Sequence, residues 1–232
     1  MALIAKEGSS FEPAPEGVFP ARCIWVVDLG TQVSDGMFGH SEKHQMYVNW
    51  ELVDETANNG QPMTIGAFFT VSLNPKGNLR PTLESWRGRA FTPEELKGFD
   101  IAKLINAPCL ISVKHQPKAD GSGIRAQVSG VMAPMKGQVI GPAREPSILI
   151  DLDAPDAVSK VEALPDWLKA KIASTAEWAK IMGWDTAQPA PVPVTPAPNT
   201  VNNAYKAMKE GVAPPPPKPV AAGIDFADEI PF

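Results

Sequence analysis

From Lys43 to Val53 the stretch KHQMYVNWELV alternates: His44, Met46, Val48, Trp50 and Leu52 fall on one side, Gln45, Tyr47, Asn49 and Glu51 on the other. A period of two predicts a half-buried strand. PMTIGAFFTVSL resumes the alternation, with Met63, Ile65, Ala67, Phe69, Val71 and Leu73 inward and Thr64, Gly66, Phe68, Thr70 and Ser72 outward. Asn59-Gly60 marks a turn between them, so the two strands form a hairpin. A turn centred near Ala57 and Asn58 sets Tyr47 almost opposite Phe68, an aromatic pair on the polar face.

Ahead of the hairpin, GVFPARCIWVVDLG is rich in β-branched and aromatic residues and reads as a first strand, with Trp25, like Trp50 and Phe69, assigned to the core. Thr31 to Lys43 carries Ser34, Asp35, Gly36 and Gly39 and reads as a long loop. Beyond Leu73 the pattern turns helical. NLRPTLESWRG ends at Gly88, and FTPEELKGFDIAKLI opens with Thr92 as N-cap, Pro93 at the first helical position and Glu95 completing a capping box. APCLISVKHQ and GIRAQVSGVMAP are again short alternating strands, joined by PKADGSG. This order predicts a mainly β fold. Three strands, a helical insert and two more strands match the five-stranded OB-fold barrel, although other small barrels share the pattern.

After Pro134 the chain is irregular, with an extra strand at SILIDLD. Residues 154–184 then show helical spacing, with Trp167, Ile172 and Trp178 as anchors and a break at Pro165-Asp166 that divides them into short C-terminal helices. These either pack on the barrel or form a separate lever. Past Trp184 the residues are Pro, Ala, Val and Asn, too poor in large apolar side chains to offset ordering entropy. Residues 185–223 are therefore read as a disordered Pro/Ala-rich linker with a reach of roughly 35 Å. Within it, NNAYKAMKE is either a transient turn or a second contact point, and the prolines at 214–217 are either spacer or an SH3-type ligand. The predicted organisation is a barrel over 1–153, helices over 154–184, the linker, and a tip over 224–232.

Charge qualifies this picture. The net charge is −5, but Met1 to Met135 carries 12 Lys and Arg against 14 Asp and Glu, so the body is close to neutral. Between Lys76 and Phe91, Lys76, Arg80, Arg87 and Arg89 face a single acid, Glu84. Cys23 and Cys109 lie far apart in apolar runs without metal spacing, as expected of buried reduced thiols. Neither a signal peptide nor a membrane span is apparent, and a cytoplasmic protein is expected.

The segment GIDFADEIPF, 223–232, combines Asp225, Phe226, Asp228 and Glu229 with Ile230, Pro231 and Phe232. An aromatic ring and a carboxylate on one residue suit a hydrophobic slot with a basic rim. The segment resembles the C-terminal tip of bacterial single-stranded DNA-binding proteins, matching at Asp225, Phe226, Asp228, Ile230, Pro231 and Phe232 and departing at Ala227 and Glu229. The layout of barrel, Pro-rich linker and acidic tip is similar too. The body, with NLRPTLESWRGRAFTPEELKGFD, is more similar to phage-encoded proteins found among replication and recombination genes. The resemblance implies that the tip recruits replication, recombination and repair proteins of a bacterial host cell.

Binding single strands without sequence preference requires cations for phosphates and aromatic faces for bases. OB-folds use the outer surface of strands 2 and 3 and the adjoining loops. The positions expected there are Tyr47 and Phe68 for stacking, Phe38 on the first loop, and Lys43, Lys114, Lys118 and Arg125 as cations. Lys76, Arg80, Arg87 and Arg89 form a second basic cluster around Trp86, itself assigned to the core. The near-neutral body predicts modest affinity that falls with salt, and a free acidic tip competes with DNA for the same cations.

Nucleotide-binding, zincin and serine-hydrolase motifs are absent, and the spacing of His40 and His44 is assigned to solvated histidines. The expectation is a non-enzymatic single-stranded DNA-binding protein with no cofactor, metal or membrane partner and with its oligomeric state open. The alternatives are an adaptor or decoy for host repair enzymes and a strand-annealing protein.

Overall fold

The computed structural model describes residues 12–36, 39–118, 121 and 123–184. In chain order the elements are β1 (Gly17–Gly36), β2 (Gly39–Thr56), β3 (Pro62–Thr70), α1 (Leu79–Arg87), β4 (Pro108–Pro117), β5 (Ile124–Met132), β6 (Ile148–Ile150), α2 (Ala157–Glu162), α3 (Asp166–Ala173) and α4 (Ala176–Ile181). The six-stranded sheet has the order β3-β2-β1-β4-β5, with β6 pairing β1 off this path. Every ladder is antiparallel except the parallel β1–β6 pairing.

The expected strands and the helix between β3 and β4 are present, but the sheet is open. Strands β3 and β5 stand at its two ends, with no backbone ladder between them among the described residues. Helix α1 packs against β5 instead, and Ser85 O accepts from Ala133 N at 3.1 Å. Its Trp86 Nε1 donates to Pro108 O at 2.9 Å.

Five other expectations are corrected. In the stretch expected as a loop from Thr31 to Lys43, Thr31–Gly36 and Gly39–Lys43 pair as a β-ribbon, with Gln32 opposite Lys43 and Ser34 opposite Ser41. Neither of its faces is buried in a core, so the apolar alternation that marks a strand never develops there. Trp25 leaves the inward face because the register shifts between Cys23 and Trp25, and it packs instead against the outer apolar cluster.

The Thr92 capping box forms, with Thr92 N donating to Glu95 Oε2 at 3.0 Å and Glu95 N to Thr92 Oγ1 at 3.3 Å. It leads only into separate 3-10 turns, Glu95–Lys97 and Ile101–Leu104, because Gly98 is extended and Asp100 caps the second turn. The C-terminal helices break twice, at Pro165 and at Thr175, which caps α4. Trp167 is exposed, and Leu168, Ile172 and Trp178 are the anchors.

The apolar residues form two clusters. One fills the inner face of the sheet around Trp50, whose ring meets Phe69 at 6.3 Å and Trp86 at 5.8 Å. The other joins Val27 and Leu29 on the outer face of β1 to Leu168, Ile172 and Trp178 of the helices. The helices thus pack on the sheet, and all described residues fall within one compact unit, Met1–Ala190. They are pinned there by polar contacts. Thr31 N donates to Glu177 Oε1 at 3.1 Å, and Gln32 Nε2 donates to Lys171 O at 3.1 Å.

Between β5 and β6 the irregular segment is held by charge. Arg22 donates to the carbonyls of Asn106, Ile140 and Gly141. Glu51, fully buried, accepts from Arg144 N at 2.9 Å and Glu145 N at 2.8 Å, with Arg144 Nε 3.6 Å away. Cys23 and Cys109 are free and buried, and burial pushes both thiols upward. Among the described residues no helix is long and apolar enough to cross a membrane.

Candidate nucleic-acid interface

Register places Tyr47 directly opposite Phe68 on the β2–β3 ladder, with ring centroids 5.1 Å apart. The pair meets because Gly66 has no side chain: a Cβ there would lie 1.9 Å from the Tyr47 hydroxyl and 2.2 Å from Cζ. Tyr47 therefore lies across the bare backbone of β3. Substituting Gly66 by Val is expected to destabilise the chain by about 1–3 kcal/mol through overpacking. It should also displace the Tyr47 ring, with unfolding curves and tyrosine ring NMR shifts as the measurements.

Helix α3 completes the surface. Trp167 approaches Tyr47 edge-on at 5.2 Å and Phe68 at 6.2 Å, and Lys171 Nζ stands 5.2 Å from the Phe68 ring centroid. Tyr47 is half-buried and its hydroxyl is pushed up to about 12 by burial. Phe68 and Trp167 stay open, at 42% and 47% exposed. Contacts from α3 thus reach both rings but leave much of Phe68 open. Lys43 shares this side of β2, two alternations before Tyr47, and is exposed.

The expected second cluster is already occupied by acids. Arg80 Nε pairs with Glu84 at 3.0 Å, while Glu95 receives Arg89 Nη2 at 2.7 Å and also Arg87. Arg87 lies over the Phe91 ring at 4.3 Å and near Phe99 at 5.3 Å. Its Nη1, buried without an oxygen partner, belongs to the guanidinium held against these rings. Trp86 is core, as expected, and Lys76 is exposed in the turn before α1.

Hydrogen bonds from Arg89, then Thr92 N and Arg87, hold the Glu95 carboxyl down to about 2. A depressed carboxylate contributes stability that is present above its unfolded value and lost as pH falls through the folded one. The clamp should therefore persist through mild acid and open only between about pH 4.5 and about pH 2, as carboxyl NMR titration of Glu95 would show.

Lys114 on β4, Lys118 in the turn after it and Arg125 on β5 are exposed, and β1 lies between these strands and β2 in the sheet order. None of the three stands over the Tyr47 or Phe68 ring among the described residues. Phe38 and the tip residues Asp225, Phe226, Asp228, Glu229, Ile230, Pro231 and Phe232 lie outside the described residues. His40 sits between Asp35 Oδ1 at 2.8 Å and Glu42 Oε1 at 3.1 Å, and His44 pairs with Asp28 at 2.6 Å. Among the described residues no cluster of His, Cys, Asp and Glu could hold a metal.

The sequence does not bring Trp167 and Lys171 to this aromatic surface. Their i, i+4 spacing puts them on one helix face, but nothing local to α3 indicates a partner about one hundred residues earlier in the chain.

The fold and site define a mainly β protein with a helix-buttressed open sheet and an aromatic outer face. No protein-family model matches the chain, and no curated protein matches its sequence.

Proposed function

We propose that this chain binds single-stranded DNA without strong sequence preference through the outer face of β2 and β3. In this reading the segment Asp225–Phe232 recruits replication, recombination and repair proteins of a bacterial host. The strand order and the helix between β3 and β4 fit OB-type connectivity, with α1 rather than a backbone ladder covering the β3–β5 seam. The similarity of Asn78–Asp100 to phage proteins supports a role in phage DNA replication and recombination.

The observation that carries the reading is the exposed Phe68 ring, backed by Tyr47, on the strand pair with which OB proteins contact oligonucleotides. A second reading, a protein adaptor acting on host repair enzymes, draws support from Arg80, Arg87 and Arg89. Their ion pairs leave fewer cations for phosphates.

Titration of labelled dT oligonucleotide and of duplex, at low and moderate salt, separates the two. The full chain should prefer dT and weaken with salt, and removal of 225–232 should raise dT affinity at low salt. No dT binding by either form would overturn the DNA reading and leave the adaptor.

A further inference from the structure

We infer that α3 forms part of the DNA-contacting surface, with Trp167 as a second stacking face and Lys171 as a phosphate contact that rests on Phe68 when no strand is bound. This rests on the reading of the β2–β3 face as a single-strand binding surface.

Three observations support it. Trp167 is nearly half exposed although its neighbour Leu168 is fully buried, so the helix is anchored without using the indole. The indole meets Phe68 edge-on, with rings at 80°, so each keeps a separate face for a base and the two surfaces continue one another around a corner. Lys171, one turn beyond, makes no ion pair among the described residues and stands over the Phe68 ring. Lys160 and Lys169, on the same helical segment, are instead paired to Asp156 and Asp166.

An ammonium on an aromatic face is a weak contact that a base can replace. Lys171 has a flexible stem, so a base arriving on Phe68 displaces the ammonium toward the phosphate that the nucleotide brings with it. The carbonyl of Lys171 is meanwhile held by Gln32 Nε2, so the side chain moves while the helix stays fixed. Binding at this surface therefore requires no opening of the helices. The occupant is single-stranded rather than duplex DNA, because the two exposed rings need unstacked bases, with Lys43 and Lys171 beside them for a backbone.

The test is fluorescence anisotropy of labelled dT oligonucleotide with the full chain across a salt series, comparing wild type with Lys171→Gln, Lys171→Arg, Trp167→Ala, Trp167→Phe and Phe68→Ala. Loss of one phosphate contact should flatten the slope of log affinity against log salt by about 0.7 in Lys171→Gln, with the slope restored in Lys171→Arg. Trp167→Ala should weaken binding roughly 5- to 150-fold, with Trp167→Phe recovering part of the loss. A purely structural Lys171 would leave the slope unchanged. If wild type binds and Phe68→Ala weakens binding while the Lys171 and Trp167 variants match wild type in slope and affinity, the inference fails and the β2–β3 reading stands. If wild type does not bind dT at any salt concentration, both fail.

Discussion

Replacing Tyr47 and Phe68 together by alanine is expected to weaken binding to a dT oligonucleotide by roughly 30-fold or more, since each stacking surface contributes about 1–3 kcal/mol. The two rings do not contribute alike. Phe68 offers its ring to solvent, whereas Tyr47 is wedged between Phe68, Trp167 and the backbone of Gly66. Phe68→Ala alone should therefore account for most of the lost affinity with little change in the unfolding midpoint. Tyr47→Ala should lower stability as well, because it empties the space beneath Phe68. Tyr47→Phe should be nearly silent in both measurements: its hydroxyl reaches Asn49 Oδ1 only at 3.5 Å, and burial keeps it protonated well past neutral pH. A double variant that folds and binds like wild type would move the interface off this face.

Glu51→Ala should produce the largest loss of stability among the polar positions, about 3 kcal/mol. Its carboxylate is fully buried, yet both oxygens are engaged by the backbone amides of Arg144 and Glu145, with the Arg144 side chain beyond. Truncation leaves those two amides without acceptors and releases Arg144, which also donates to Glu55 O and Thr56 Oγ1. For a domain of this size that corresponds to a fall in melting temperature of roughly 6–12 °C. Glu51→Gln keeps one acceptor oxygen and should cost less than alanine. Proteolysis within residues 134–147 is the second measurement, because the segment they span is held by Glu51 and Arg22. Equal thermal stability of wild type and Glu51→Ala would show that the carboxylate does not anchor this segment.

What could be read from the chain follows from where the driving force is local. The β2–β3 hairpin is a contiguous alternating segment with its own turn, so its register, down to the facing of Tyr47 and Phe68, could be read directly. The C-cap of α1 was equally visible, because Gly88 adopts φ 68° where the left-handed region favours glycine. The β1–β2 ribbon was not, since polar residues such as Gln32 and Lys43 pair through backbone alone and leave no apolar signature. The occupied state of the arginines was also hidden: Glu95 lies beyond the window in which the cations cluster and reaches them only through the 3-10 turn. Trp167 illustrates the general limit. A tryptophan in an amphipathic helix reads as an anchor, and only the position of neighbouring Leu168 in the folded chain shows that it is not.

Strand β1 carries a consequence for how the chain is made. It pairs with β2 beside it, but also with β4, where Gly17 faces Val113, and with β6, where Trp25 faces Ile148. On a ribosome it is the first of these strands to emerge, and two of its three partners follow only after most of the body has been synthesised. The β1–β2–β3 meander can form early, but its outer apolar residues Val27 and Leu29 stay uncovered until Leu168, Ile172 and Trp178 leave the exit tunnel. Such distant closure slows folding and exposes partly formed sheet to aggregation. Nascent chains stalled before residue 150 should therefore hold the inner cluster but leave the outer apolar face of the sheet uncovered, as binding of a hydrophobic dye would show.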